Sequence, residues 1–204
     1  AKCPVRTPSN YEQGLKERKA VYVPYAQAYP NIPTIDHDNC TYFKNGKCRA
    51  CEKFCGMKAV DFSQKDKELE IPVGSVILTP GYDVFDAKIK GEYGYGRMPN
   101  VVTSLEFERI LSASGPFLGQ VVRPSDGKHP VKIAWIQCVG SRDETCGRDY
   151  CSSVCCMYAT KEAMLAMEHI PGVEIKIFQM DMRAFGKGFD AYFERGKEKG
   201  IQYI

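Results

Sequence analysis

The 204-residue chain has an ordinary globular composition, with 44% hydrophobic and 26% charged residues and a net charge of +3. The charge is modest and no stripe of Lys and Arg is interleaved with aromatic residues, which argues against a nucleic-acid-binding surface. No apolar run approaches the roughly 18 residues of a membrane span. Ten cysteines in tight groups, including an adjacent pair, favour metal ligation over a disulfide framework.

The first cysteine group has the spacing C-x7-C-x2-C-x3-C, formed by Cys40, Cys48, Cys51 and Cys55. The end of this pattern matches the iron–sulfur run in which the last cysteine binds a different cluster. It predicts a [4Fe–4S] cluster on Cys40, Cys48 and Cys51, with the upstream Cys3 as fourth ligand. Cys55 would serve a second cluster, whose other ligands would precede residue 1. A zinc site is the alternative, although zinc ribbons use two C-x2-C knuckles and only one is present.

The middle of the chain contains weaker patterns. Residues 66–83 alternate and then turn apolar, which predicts a strand that ends in a turn. Residues 84–103 are rich in Gly and Tyr and indicate a surface loop. Residues 103–114 predict a helix that is capped by Thr103 or Ser104, with Glu106 or Glu108 in its first turn.

From residue 131 onward, the pattern alternates between strand and helix, as in the βαβ units of a parallel sheet. The predicted elements are a strand at 131–137, a helix at about 152–169, a strand at 173–179, a helix at 184–200 and a final strand. The chain stops inside that strand, and Cys3-Pro4 resembles the end of a ferredoxin motif. We therefore expect it to be a central fragment of a longer protein.

The turn between the first strand and helix of this region reads CVGSRDETCGRDYCSSVCC, residues 138–156. A dinucleotide-binding unit would have three glycines directly after the strand, and the corresponding residues, CVGSR at 138–142, keep only Gly140, which predicts that no nicotinamide cofactor binds. The spacing C-x12-C-x3-C-C suits a second [4Fe–4S] cluster at the helix N-terminus, with Cys146 left over. Redox-active or buried free thiols are the alternative. The four cysteines of this spacing are Cys138, Cys151, Cys155 and Cys156.

The run CSSVCCMYATKEA, with IQCVGSRDE before it and DMRAFGKGF after it, resembles the A subunit of heterodisulfide reductase. That family is the flavin and iron–sulfur subunit of methanogenic archaea, with relatives in sulfate reducers and other anaerobes. The resemblance implies a noncanonical cluster on the same C-x12-C-x3-C-C set and gives Cys146 no role. It extends over nearly the whole chain.

The resemblance also implies the fold class, which is an α/β, thioredoxin-reductase-like flavoprotein with Rossmann-like βαβ units and an inserted ferredoxin-like domain. Together with the patterns above, this divides the chain into three parts. Residues 1–65 would be a partial ferredoxin-like segment, 66–130 an FAD-domain segment with a connector, and 131–204 a truncated βαβ domain with the noncanonical cluster.

An FAD cofactor follows from the same resemblance. VILTPGYD at 76–83 is similar to the strand and turn that close over FAD in this flavoprotein class, so Thr79 and Gly81 are expected to contact the cofactor. Lys161 shares a helical face with Val154, Met157, Tyr158 and Leu165. In this class of fold that region faces the flavin, so Lys161 is expected to approach it and stabilise its reduced form. A surface lysine with an extended side chain is the alternative.

The resemblance therefore implies a cytoplasmic electron-transfer oxidoreductase component of methanogenesis, with flavin-based electron bifurcation. Electrons would pass between FAD and [4Fe–4S] clusters, toward a disulfide-reducing partner and toward ferredoxin. The implied partners are the other heterodisulfide reductase subunits, a hydrogenase or formate dehydrogenase as donor, and ferredoxin. Two alternatives remain: a related subunit that feeds a sulfur-metabolism or quinone-linked complex, and a zinc-binding interaction module without redox activity.

Overall fold

The computed structural model describes residues 2–204 and divides into two compact units. The N-terminal unit comprises the residues up to Tyr11 together with Glu17–Val84. The C-terminal unit comprises Glu12–Lys16 and Phe85–Ile204.

The N-terminal unit has little regular structure and a very small core. Its elements are β1 (Arg6–Pro8), β2 (Glu17–Lys19), β3 (Val21–Tyr22), β4 (Thr34–Ile35), α1 (Thr41–Asn45) and α2 (Ala50–Lys53). Strands β1 and β2 pair antiparallel, as do β3 and β4. Among its described residues only Cys3, Ser9, Ala20 and Cys40 are buried, so half of the core consists of cysteine. A unit of this size with so little apolar burial needs a staple such as a metal or a disulfide.

The strand predicted at 66–83 does not form, and that prediction was wrong for this structure. The segment has neither helix nor strand, and its apolar side chains are exposed, including Val76, Ile77 and Leu78 at 73–86%. An isolated strand cannot satisfy its backbone hydrogen-bonding groups. Within residues 2–204 no other strand pairs with this segment.

The C-terminal unit has the predicted alternation of strands and helices. Its elements are α3 (Ser104–Leu111), β5 (Lys132–Ile136), α4 (Cys155–His169), β6 (Glu174–Phe178), α5 (Phe189–Glu198) and β7 (Gln202–Tyr203). The strands form a parallel sheet in the order β5–β6–β7, and α4 and α5 are the two connections. Thr103 caps α3 in a capping box with Glu106, as predicted. The thioredoxin-reductase-like fold class and the three-part division of the chain remain predictions.

The core of the C-terminal unit lies between α3, α4 and the sheet. Helix α4 contributes small residues to this core, namely Ala159, Ala163 and Ala166, which are all fully buried. They allow the helix to lie close to Ile175 and Ile177 of β6. Across residues 2–204 there is no helix with the length and apolarity needed to cross a lipid bilayer.

Candidate metal centres

The turn between β5 and α4 brings together the four cysteines of the C-x12-C-x3-C-C pattern. Cys138 lies just after β5, and Cys155 and Cys156 are the first two residues of α4. The thiol of Cys138 interacts electrostatically with those of Cys151 and Cys155, and Cys156 interacts with Cys155 and Cys138. We call this set the four-cysteine turn.

Cys146 is directed elsewhere by the loop in which it lies. Its thiol donates to Asp143 Oδ2 at 3.5 Å, and Asp143 also pairs with Lys90 Nζ at 2.5 Å. The structure therefore gives Cys146 its own partner within the same loop.

Backbone and hydroxyl hydrogen bonds fold residues 141–152 back on themselves. Arg142 N donates to Tyr150 O at 2.9 Å, and Ser141 Oγ donates to the same oxygen at 3.2 Å. Ser152 N in turn donates to Ser141 Oγ at 2.9 Å. These bonds return the chain to its starting point, and Cys151 consequently lies beside Cys138.

The backbone of the turn adopts conformations that most residues avoid. Cys138, Arg142 and Ser153 have φ angles of 60°, 56° and 62°. Such left-handed conformations cost free energy in residues other than glycine and are concentrated at ligand-binding sites. Gly140 also has a positive φ, and a Cβ there would lie 2.4 Å from the ring of Phe85. Only glycine fits at position 140.

The thiols of the turn do not ionise alike. Burial raises the pKa of Cys138, and the nearby charge of Cys155 raises it further. The Cys156 thiol donates a hydrogen bond to Cys155 Sγ, which lowers the pKa of Cys155 and raises the pKa of Cys156.

The donor set of the four-cysteine turn fits an iron–sulfur cluster. Four thiols at one site are the ligand set of a [4Fe–4S] cluster, and the positive end of the α4 dipole favours anions there. Within the described residues, no three His, Cys, Asp or Glu side chains are arranged to hold a single metal ion. The thiolates of a [4Fe–4S] cluster each bind a different iron atom, so they stand farther apart than the ligands of one ion.

In the N-terminal unit the structure brings three of the four predicted ligands together. Burial raises the pKa of Cys51, and the charges of Cys40 and Cys3 raise it further, so these three thiols lie near one another. Cys48 is half-buried in the loop just before α2. Cys55 Sγ accepts a hydrogen bond from Ala59 N at 3.4 Å, so this thiol faces the turn that follows it.

Asp36 fixes the position of Cys40. Its carboxylate accepts hydrogen bonds from Arg18 Nη2 at 2.8 Å and from Asn39 N and Nδ2 at 3.1 and 3.0 Å. Burial opposes ionisation, but the hydrogen bonds from Asn39 and Arg18 outweigh it and lower the pKa of Asp36. The backbone oxygen of Asp36 accepts from Cys40 N at 2.9 Å. The sequence did not indicate this role.

The predicted flavin contacts are all exposed to solvent. Thr79 and Gly81 lie in the irregular segment of the N-terminal unit, where Gly81 has a φ of 75°. Lys161 lies on α4, and its Nζ pairs with Glu108 Oε1 of α3 at 2.8 Å. In this structure Glu108 is therefore the ion-pair partner of Lys161.

Glu162 is a buried acid that the sequence analysis missed. Its side chain has no solvent exposure, Oε2 accepts a hydrogen bond from Trp135 Nε1 at 2.8 Å, and Oε1 has no partner. Burial first, and then the charge of Glu108, raise the pKa of Glu162 to about 8. Its spacing of three residues from Ala159 and four from Ala166 placed it on the buried face of the helix.

Comparisons with known proteins identify close relatives, although no family model matches the chain. The iron–sulfur A subunit of the CoB–CoM heterodisulfide reductase of Methanocaldococcus jannaschii is 48% identical over 205 residues. The A subunit of the H2:CoB–CoM heterodisulfide,ferredoxin reductase of Methanothermobacter thermautotrophicus is 47% identical over 203 residues. The A subunit of the H2/formate:CoB–CoM heterodisulfide,ferredoxin reductase of Methanococcus maripaludis is 48% identical over 205 residues. These matches cover 99–100% of this chain, which spans about 30% of the length of each relative.

Proposed function

This chain belongs to the family of heterodisulfide reductase A subunits, and from that membership we propose that it is a cluster-bearing segment of an electron-transfer oxidoreductase. The observation that supports this most directly is the convergence of Cys138, Cys151, Cys155 and Cys156 at one strand-to-helix turn. The name of one relative, an iron–sulfur subunit, agrees with clusters as the cofactors.

The chain's own residues hold and shield the site. A [4Fe–4S] cluster, when bound, supplies one-electron transfer. Cys155 and Cys156 are buried, which limits the access of water to that side of the site. The hydrogen bonds of Ser141 hold Cys151 in place. The free backbone N–H groups and positive dipole end at the start of α4 favour thiolates at this position.

A second [4Fe–4S] cluster is proposed in the N-terminal unit, on Cys3, Cys40, Cys48 and Cys51. The closeness of Cys3, Cys40 and Cys51 supports it. Cys55 is proposed to serve a further cluster, because its thiol faces Ala59 and not these three. Both units would then contribute to an electron path.

We also propose an FAD cofactor. FAD would contact Thr79 and Gly81 in a thioredoxin-reductase-like fold, and Lys161 would leave Glu108 to approach the cofactor and stabilise its reduced form. The exposure of all three residues leaves them accessible to such a cofactor. Binding of FAD to the protein, and its loss with Lys161→Met but not with Lys132→Met, would test this.

The proposed partners come from the names of the relatives, which include ferredoxin, H2 and formate. We propose that the protein works with other heterodisulfide reductase subunits and with a hydrogenase or formate dehydrogenase as donor. A bifurcating flavin would send electrons both to a disulfide-reducing partner and to ferredoxin. The cytoplasm is the proposed location.

Iron and acid-labile sulfide analysis of the anaerobically purified protein tests the central proposal. We expect about eight iron atoms for two complete clusters, together with the broad visible absorption of iron–sulfur proteins. Cys138→Ser should remove about half of that iron, and the matched control Cys146→Ser should remove none. Stoichiometric zinc without iron would overturn the proposal and favour the zinc-binding interaction module.

A further inference from the structure

A short segment after β6 lies against the four-cysteine turn. Cys156 Sγ lies 3.8 Å from Asp181 O, and the backbone N–H of Arg183 donates to Cys156 Sγ. The carboxyl ends of parallel strands meet at one edge of a sheet, so the segments after β5 and β6 are neighbours. The DMR sequence at 181–183 therefore forms one side of the site.

Two arginines share the carboxylate of Asp181. Arg142 Nη1 lies 2.5 Å from Asp181 Oδ1, and Arg183 Nε lies 3.3 Å from the same oxygen. Arg142 comes from the cysteine turn and Arg183 from the segment after β6, so the carboxylate joins the two stretches of chain. We call this group the Arg–Asp–Arg bridge, and its formal charge is +1.

The charges of this bridge reach the thiols. Arg142 acts on Cys138, and Arg183 acts on both Cys151 and Cys138. The side chains of Arg142 and Arg183 are only 24% and 34% exposed, so solvent screens their charges incompletely.

We propose that Arg142 and Arg183, held in place by Asp181, are positioning residues that set the reduction potential of the cluster at the four-cysteine turn. This inference rests on the proposed function. Reduction transfers one electron from a one-electron carrier to the cluster, and no bond forms or breaks at the bridge. A fixed positive charge favours the reduced cluster, which has one more negative charge than the oxidised one.

Redox titration of the holo-protein, followed by EPR, tests the inference. The spectrum that disappears in Cys138→Ser identifies the cluster of the four-cysteine turn. We expect Arg183→Gln to reduce the equilibrium constant for reduction by about tenfold, equivalent to a potential lower by about 59 mV for one electron. Arg183→Lys retains the positive charge, so its reduction potential should lie close to that of the wild type.

Asp181→Asn provides the opposite perturbation. Removal of the negative charge should raise the reduction potential of the cluster. If Asp181 had a purely structural role, the variant would lose the cluster and its potential would not rise. The matched control is Arg123→Gln, because Arg123 pairs with Asp126 on the surface in the same way as Arg183 pairs with Asp181. This control should leave the potential unchanged.

The outcomes separate this inference from the proposed function. A wild-type protein without iron would overturn both. A wild-type cluster whose potential is the same in Arg183→Gln and Asp181→Asn would overturn the inference alone. If Arg183→Gln loses its iron, Asp181→Asn decides: a higher potential supports the inference, and an unchanged or lower one refutes it.

Discussion

The buried Glu162 makes the stability of the protein depend on pH in a way that can be calculated. Its pKa in the folded state is about 8, above the usual 4.5 of an exposed glutamate. The folded state therefore retains a proton between these values that the unfolded chain has lost. The contribution of Glu162 to the free energy of unfolding is therefore fully present below pH 4.5 and is lost as the pH rises toward 8.

The magnitude follows from the size of the shift. Each unit of pKa difference corresponds to about 1.4 kcal/mol, so the loss across the whole interval amounts to roughly 5 kcal/mol. A typical domain has a free energy of unfolding of about 5–15 kcal/mol, so the effect is large enough to measure. Glu108 strengthens this shift and Lys161 weakens it.

Denaturant unfolding of the wild type and Glu162→Gln, from pH 5 to pH 9, measures this effect. Glutamine keeps an acceptor for Trp135 but has no charge, so the variant should gain stability relative to wild type as the pH rises. The difference between the two proteins cancels the titration of the cysteines. Trp135 is the only tryptophan, so its fluorescence should also titrate near the pKa of Glu162, about 8, in wild type alone.

Glu174→Gln is the matched control. Glu174 lies at the start of β6 and pairs with Lys132 and Lys176 at 2.8 and 3.2 Å. Hydrogen bonds from those lysines lower the pKa of Glu174, so its contribution should be lost only in acid. Parallel stability curves for wild type and Glu162→Gln between pH 5 and pH 9 would refute the assignment of a buried, protonated Glu162.

Three other predictions follow from the two sites. Removal of iron with a chelator should abolish hydrogen-exchange protection in the N-terminal unit but preserve protection in β5 and β6. Equal loss of protection in both units would refute the reasoning that only the C-terminal unit has an apolar core sufficient to keep it folded without iron. Gly140→Ala should destabilise the cysteine turn by about 1–3 kcal/mol, because it combines a positive φ with a clash against Phe85; a Gly147→Ala control has the same positive φ without a clash and should cost less. NADH and NADPH should bind no tighter than millimolar, because the residues directly after β5, CVGSR, keep one glycine where a dinucleotide site has three, and anaerobic titration with micromolar nucleotide should leave the visible spectrum unchanged.

The features that the sequence predicted well depend on local spacing. The alternation from residue 131 fixed the order of the strands and helices, and Thr103 with Glu106 formed the expected capping box. The convergence of the four cysteines also followed from local rules, because the carboxyl end of a strand and the start of the next helix are adjacent. Cys146 was set apart by its place in the middle of the loop.

The features that the sequence did not predict depend on distant partners. The role of Glu162 depends on its hydrogen bond with Trp135, which lies 27 positions earlier in the chain. The role of Asp181 depends on its contact with Arg142, which lies 39 positions earlier. The error in predicting a strand at 66–83 has the same cause. Alternation of apolar and polar residues indicates that a segment can form a strand, but it does not show that a second strand is available to pair with it. Local sequence patterns therefore predict the type of each element, but they do not predict which elements pack against it.

The two cysteine sites relate to their surroundings in opposite ways. At the four-cysteine turn, a parallel sheet and an apolar core hold the thiols in place, and the core contains apolar residues such as Ile177 that are not among the proposed ligands. In the N-terminal unit the buried residues include two of the proposed ligands, Cys3 and Cys40, and little apolar surface is available besides. A cluster there must therefore contribute to folding itself, as structural metals do in small domains. The fold supports the cluster in one unit, and the cluster supports the fold in the other.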